Sequence, residues 1–246
     1  MTKMRLIPLL LLLLLTACSS QKVVPKHSAE QFFQDGERFY ESKLYNDAIA
    51  SWEKVRDSYY SPELNMLAEL KIAEAYYRSE RYAEAATAFA DFLRQHPNDD
   101  RSALVLYRLG MSHFQQMLTA DRDQTSTENA MKTFQELLTR YPENENAEEV
   151  GYLIQRCQNR LAEHEVYVGR FYLNTKKYPA AINRLERGLA NYPNYYYRDE
   201  AYFYLGQAYL KSGDKERAKD SFNKLFEQFP GSEYLIDAQK ILAEDY

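Results

Sequence analysis

Apolar residues recur at three- and four-residue steps along most of the chain, the spacing of amphipathic helices. Five stretches share one further pattern. In each, a small residue on a first helix is followed by an alanine on a second helix, and a large apolar residue stands four positions after that alanine. The small residues are Gly36, Ala73, Gly110, Gly169 and Gly206, and the alanines are Ala48, Ala85, Ala130, Ala181 and Ala218. The pattern predicts five helix-turn-helix repeats.

This spacing is that of the tetratricopeptide repeat, a helix pair of about 34 residues. Small residues occur where the two helices must approach closely, and large ones fill the space beside them. No stretch shows the alternation typical of strands. We therefore predict an all-α fold, an α-solenoid of five tetratricopeptide repeats.

Two departures interrupt the repeat. Gly110 and Ala130 are 20 positions apart instead of 12, so "TADRDQTSTE" predicts a polar loop inserted in repeat three. Pro142 and Gly169 are 27 positions apart, and no proline lies between them. We predict one long connecting helix over roughly 145–174, before repeat four. A C-terminal capping helix follows Pro230, with Ser232 as its expected N-cap.

The N-terminus has the pattern of a bacterial lipoprotein leader. A basic start precedes an apolar run of ten residues, Leu6 to Leu15, which is too short to cross a membrane as a helix. Leu15, Thr16, Ala17 and Cys18 then match a lipobox. We predict that Cys18 is acylated and becomes the first residue of the mature chain, anchored in a lipid bilayer. Ser19 favours sorting to the outer membrane, and an ordinary signal peptide with a chance cysteine is the alternative.

These patterns divide the chain into consecutive parts. The predicted parts are a cleaved signal peptide (1–17), a lipidated tether (18–28), repeats one and two (29–98), repeat three (99–143), and the long helix with repeats four and five and the capping helix (144–246).

Composition excludes several classes of function. The formal net charge is −5 and no Lys/Arg run occurs, so nucleic-acid binding is not expected. None of the four histidines has the spacing of a metal site, and no cofactor motif is present. No nucleophile, base and orienting residue can be nominated, so we expect neither a metal, a cofactor nor an enzyme. Cys157 is predicted to be a lone buried thiol.

In a solenoid of this kind the first helix of each pair lines one face. Projecting the repeats onto that face gives an apolar, aromatic surface in the N-terminal half, which we call the N-terminal groove. We expect it to bind a peptide with hydrophobic anchors. Packing of these side chains against neighbouring helices is the alternative. The groove residues are Phe33, Tyr40, Leu67, Leu70, Tyr77, Tyr107 and Phe114.

A second surface is expected at the start of repeat five. The stretch "NYYYRDEAYFY" places three tyrosines before an arginine, and both residue types are enriched at interface hot spots. We predict partner contacts here, although a turn whose tyrosines cover the next helix is equally open. We call these residues the C-terminal surface: Tyr195, Tyr196, Tyr197, Arg198 and Asp199.

The lipobox, the five repeats and the long helix together resemble the BamD (ComL) family of outer-membrane lipoproteins. The resemblance covers the whole chain and is most specific over 75–98, 161–193 and 197–201. It implies a scaffold of the β-barrel assembly machine whose C-terminal repeats dock on the periplasmic part of a BamA-like subunit, with Arg198 taking part. It also implies that the N-terminal repeats receive the C-terminal signal of unfolded outer-membrane proteins and support their insertion.

The resemblance is incomplete in two places. The insertion in repeat three is short, and Tyr195 to Tyr197 stand where more polar residues are expected, which leaves contacts with accessory lipoproteins open. Another periplasmic repeat lipoprotein, serving pilus assembly or the Tol envelope complex, is the alternative function. An envelope enzyme is a further alternative that no set of residues supports.

Overall fold

The computed structural model describes residues 28–58 and 61–245, which form eleven α-helices. Cys18, the predicted leader and most of the predicted tether lie outside these residues. The helices are α1 (Ala29–Glu41), α2 (Tyr45–Arg56), α3 (Pro62–Arg78), α4 (Tyr82–Gln95), α5 (Ser102–Gln115), α6 (Thr125–Arg140), α7 (Ala147–Asn174), α8 (Tyr178–Asn191), α9 (Arg198–Lys211), α10 (Lys215–Gln228) and α11 (Leu235–Asp245).

Successive helices pair along the chain, and the predicted fold is confirmed. The pairs α1–α2, α3–α4, α5–α6, α7–α8 and α9–α10 are the five repeats, and each pair packs on the next. Helix α11 follows α10 as a cap, and no strand occurs among the described residues. Buried apolar side chains form successive clusters along the stack, so each repeat depends on its neighbours for its core.

Close contact inside a pair explains the small residue of the first helix. A Cβ atom added at Gly206 on α9 would lie 2.7 Å from ring atoms of Phe222 on α10. At Gly169 on α7 it would lie 2.6 Å from Cγ of Leu185 on α8. Phe222 and Leu185 are fully buried. The glycines therefore provide the space that the large residue of the second helix fills.

The long helix α7 runs for 28 residues, in agreement with the helix predicted over 145–174. Its first half packs Val150, Leu153 and Cys157 against Phe134 and Leu137 of α6. Its second half carries Gly169 and is the first helix of repeat four. One helix thus closes the stack of repeats one to three and opens the stack of repeats four and five.

The inserted loop of repeat three begins and ends earlier than the predicted stretch 119–128. It covers 116–124, because Thr125 to Glu128 already belong to α6. The buried Gln124 amide donates to the carbonyl oxygens of Thr119, at 2.8 Å, and Arg122, at 3.0 Å. Nδ1 of His164 on α7 lies 2.6 Å from the carbonyl oxygen of Ala120. The loop is therefore held against α7.

The Ser232 hydroxyl, expected to cap the last helix, makes two hydrogen bonds. It accepts from the backbone N–H of Tyr234 at 3.2 Å, just before α11 begins at Leu235, and it donates to Oδ2 of Asp199 at 2.7 Å. The next aromatic residue, Tyr234, stacks on Phe203 of α9 with 4.8 Å between ring centroids. Ser232 therefore satisfies a backbone N–H at the start of the cap and also holds the turn before it onto repeat five.

Candidate partner-binding surfaces

The N-terminal groove is built by α1, α3 and α5, the first helices of three consecutive repeats. Six of its seven predicted residues are half-buried, and Leu67 is more exposed. Several rings pack inward while keeping one side open. Phe33 and Tyr40 lie 6.4 and 5.8 Å from the Trp52 ring, and Phe114 lies 6.4 Å from Phe134. The same side chains therefore pack against neighbouring helices and also line the groove, so the two alternatives do not exclude each other.

A pocket opens in the middle of this groove, where the three helices meet. Its volume is about 200 Å³ and most of its lining is apolar. Tyr40 and Leu70 belong to the predicted groove, and Phe89 reaches the pocket from the second helix α4. The lining residues are Tyr40, Leu70, Lys71, Glu74, Phe89, Leu104, Val105 and Arg108.

Ion pairs cross the groove between successive repeats. Nζ of Lys71 lies 3.0 Å from the Glu37 carboxylate, and Nε of Arg108 lies 3.2 Å from Oε2 of Glu74. Lys71 and Arg108 occupy the same repeat position, two residues before Ala73 and Gly110. Sequence projection missed both, although this shared position is a signal that identifies them.

Two half-buried tyrosines of the groove, Tyr40 and Tyr107, have raised hydroxyl pKa values. Burial, followed by the nearby Glu74 carboxylate, raises the pKa of Tyr40. Burial and the hydrogen bond to Glu149, 3.1 Å long, raise the pKa of Tyr107 to about 12. Both hydroxyls therefore stay neutral at physiological pH, and the Tyr107 hydroxyl joins α5 to the long helix α7.

The C-terminal surface presents two of its three tyrosines. Tyr196 and Tyr197 are 79% and 63% exposed, whereas Tyr195 is only 6% exposed and its ring lies 6.0 Å from that of Tyr197. Burial raises the pKa of Tyr195, and its hydroxyl has no hydrogen-bond partner. Tyr195 therefore supports the turn, and Tyr196 and Tyr197 are the rings available for contact.

Arg198 and Asp199 are tied into repeat five. Nη2 of Arg198 donates to the Tyr202 hydroxyl at 3.0 Å, and the guanidinium lies 5.6 Å from the centre of that ring. Nε of Arg198 is buried without a partner. Asp199 accepts from Ser232, as described above. The guanidinium is thus oriented by Tyr202 and is only partly exposed, while Asp199 acts within the fold.

Comparison with known proteins decides the family. The model of the YfiO family, described as outer membrane lipoproteins, matches residues 25–221 of this chain. The chain belongs to the YfiO family. The matched range contains both surfaces, from Phe33 to Asp199. It ends before α11 and begins after Cys18.

Individual relatives agree with this assignment, and each bears the name outer membrane protein assembly factor BamD. The Rickettsia prowazekii protein is 27% identical over 98% of this chain and 97% of its own length. The Neisseria meningitidis protein is 28% identical over 92% and 91%. The Caulobacter vibrioides protein is 28% identical over 82% of this chain. That relative is longer, and the match covers 66% of its length.

Solved structures with a similar course of the chain include the TPR2AB domain of yeast Sti1 in complex with pHSP90. It has a TM-score of 0.43 and 16% identity over 88% of this chain and 84% of that one. The MamA crystal structure has a TM-score of 0.37 and 18% identity over 81% and 90%.

Within 28–58 and 61–245, no helix has the length and apolar character needed to cross a bilayer. The same residues contain no group of His, Cys, Asp and Glu side chains arranged to hold a metal ion.

Proposed function

We propose that this YfiO-family chain is an outer-membrane protein assembly factor. The observation that carries the proposal is the match to relatives of that name over nearly the whole of both chains, 98% and 97% for the Rickettsia protein. A stack of helical repeats suits this role, because it offers two separate faces to two different proteins. In this proposal the chain is held at the periplasmic face of the outer membrane by acylated Cys18.

The N-terminal groove is proposed to receive the C-terminal segments of unfolded outer-membrane proteins. Support comes from its half-buried rings and from the apolar pocket of about 200 Å³, which has room for a side chain but not for a folded domain. Lys71 and Arg108 border this pocket. An extended peptide with an aromatic anchor and a nearby carboxylate matches both features.

The C-terminal surface is proposed to dock on the periplasmic part of a BamA-like barrel subunit. Tyr196 and Tyr197 offer large exposed rings, and Tyr202 fixes the direction of the Arg198 guanidinium. A pre-oriented arginine loses less rotational freedom on binding than a free one. The remaining donors of Arg198 favour a carboxylate on the partner.

Copurification tests this assignment. The acylated chain, carrying a C-terminal tag, is extracted from outer membranes and its stably bound proteins are identified. We expect a BamA-like subunit in stoichiometric amounts. Recovery of pilus-assembly or Tol components in its place would support the alternative scaffold function and contradict the proposal.

Photo-crosslinking tests the groove separately. A photoreactive residue at Tyr77 is expected to capture newly exported outer-membrane proteins near their C-termini. The same residue at Ile236, which is exposed on α11, serves as the control and is expected to capture none. Equal capture at both positions would contradict a groove-specific peptide site.

A further inference from the structure

One face of each first helix packs against the second helix of the preceding repeat. Three positions form this face, at −5, −1 and +2 from the small residue that meets the partner helix. They are at most 8% exposed in repeats two, three and five. The residues are Ala68, Ile72 and Ala75; Val105, Leu109 and Ser112; and Ala201, Leu205 and Ala208. At +2 the residue in these three repeats is Ala or Ser and fully buried, so the preceding helix lies close to the backbone.

Repeat four breaks this rule. The equivalent residues are His164, Val168 and Phe171, and none of them is buried. Phe171 stands at the +2 position and is 54% exposed, with its ring 5.8 Å from that of Tyr172. A large apolar ring therefore stands open at a position that is small and covered in three other repeats.

The length of α7 explains why this face is open. Helix α6 packs on the first half of α7, around Cys157. Phe171 lies 14 residues further along the same helix, which is about 21 Å at a rise of 1.5 Å per residue. The repeat-three loop covers only the near end, where the Ala120 carbonyl meets His164. No second helix of a preceding repeat covers Val168 and Phe171.

Repeat two shows how a helix covers the equivalent face. Its counterpart of Lys177 is Arg81, eight residues after the small residue in both repeats. Arg81 lies over the Tyr76 ring at 4.5 Å and donates to Oδ1 of Asn46, in the first turn of α2, at 3.3 Å. Helix α2 is the helix that covers the equivalent face of α3.

Lys177 repeats half of that arrangement. Its Nζ lies over the Tyr172 ring at 5.9 Å, as Arg81 does over Tyr76. Within 28–58 and 61–245, however, Lys177 has neither an ion pair nor a side-chain hydrogen bond to an acceptor. The positive charge of Lys177 would repel the N-terminus of a helix docked here, because that end of a helix is also positive. An acidic or amide acceptor in the first turn of the docked helix removes this repulsion.

We propose that Val168, Phe171 and Lys177, here called the α7 open face, dock an amphipathic helix of another protein. The helix takes the place that α2 takes on α3. Its apolar stripe covers Val168 and Phe171, and an Asp, Glu or Asn in its first turn meets Lys177. Because Phe171 replaces Ala or Ser, the docked helix has a small residue opposite this ring. The inference does not rest on the proposed assembly function.

Site-specific photo-crosslinking tests the proposal in the full-length, membrane-anchored chain. Benzoylphenylalanine replaces Phe171, and the crosslinked peptide is identified by mass spectrometry. Arg38 is the matched control, since it occupies the same +2 position on the open face of repeat one but is polar and exposed. We expect position 171, and not position 38, to capture an amphipathic helical segment of one other protein, with an acidic or amide residue in its first turn.

Charge reversal supplies the second readout. Lys177→Glu is expected to lower the crosslinking yield at position 171 about threefold, the effect of losing one partly exposed charge pair. Lys176→Glu makes the same change of charge at the neighbouring residue and is expected to leave the yield unchanged.

Several results would overturn the proposal: a product at position 171 containing only lipid or a second copy of this chain, no product at all, or equal yields for the two lysine variants. Phe171→Ala is expected to keep the wild-type Tm, because the ring lies outside the core. A lowered Tm would place Phe171 in the core and would equally contradict an open face.

Discussion

Arg108 on α5 bridges two repeats by pairing with Glu74 on α3, with 3.2 Å between Nε and Oε2. Its guanidinium also lies 5.3 Å from the centre of the Tyr77 ring. Both contacts are made at the edge of the groove pocket, which Leu104 lines from the same helix as Arg108. The two contacts hold the Arg108 side chain against the preceding repeat, and pre-organisation of this kind favours binding.

Leu104→Lys tests the pocket, because Leu104 is half-exposed and its side chain faces the proposed peptide. A lysine here is expected to weaken binding of a peptide ending in an aromatic residue by about 1–2 kcal/mol, the cost of losing an apolar anchor contact. Fluorescence anisotropy with a labelled peptide measures the change. Leu118→Lys, at a similarly exposed leucine in the repeat-three loop, is the control and should bind normally; equal loss in both variants would remove the pocket from the binding site.

Gly206→Ala tests the close approach of α9 and α10. The new methyl group would overlap the Phe222 ring, so we expect a loss of about 1–3 kcal/mol of unfolding free energy. Gly151→Ala is the matched control on α7, because nothing lies within 4 Å of a Cβ atom there. It is expected to raise stability by about 0.5–1 kcal/mol through helix propensity. Urea unfolding followed by circular dichroism compares the two, and equal stability changes would contradict the packing account.

Cys157 is expected to resist thiol reagents in the folded protein. It is fully buried, and burial raises the pKa of its thiol to about 12. Since the thiolate is the reactive form, labelling at pH 8 should be slow until denaturant exposes the side chain. Mass spectrometry after iodoacetamide treatment measures the labelled fraction. Rapid labelling of the native chain would show that α6 and α7 open easily around this residue.

Cys18→Ser tests the lipid anchor, on which the proposed location depends. Without the thiol no acyl chain can be attached, so the variant is expected to be released as soluble protein or to retain its leader. Fractionation of membranes and mass measurement of the N-terminal peptide distinguish these products. Normal acylation and outer-membrane recovery of the variant would refute the lipobox interpretation.

The sequence predicted the repeats well because their signals are local. Gly206 and Phe222 are constrained by one helix pair, and the proline-free stretch before Gly169 carries apolar residues at three- and four-residue steps. Contacts between residues far apart in the chain could not be predicted from these local signals. Ser232 was expected only as an N-cap, yet its hydroxyl also donates to Asp199, 33 residues away.

The surfaces were predicted only in part. Periodicity placed Tyr40 and Leu70 on the face where the pocket opens, but it could not show that Arg108 reaches Glu74 in the preceding repeat. Tyr195 and Tyr196 are adjacent and chemically identical, yet one is buried and the other exposed. The turn before α9 decides this, and hydrophobic periodicity does not describe such turns. The open face at Phe171 becomes visible only when burial is compared between equivalent positions of the repeats.

The most direct test of the proposed function is the affinity of this protein for the periplasmic domains of the BamA-like subunit from the same organism. Isothermal titration of the wild type, Arg198→Ala and Leu44→Ala provides it, with Leu44 as an exposed control in the turn between α1 and α2 of repeat one. The account predicts specific binding by the wild type and the control, weakened by about 1–3 kcal/mol in Arg198→Ala. No binding by the wild type, or the same affinity in all three proteins, would contradict it.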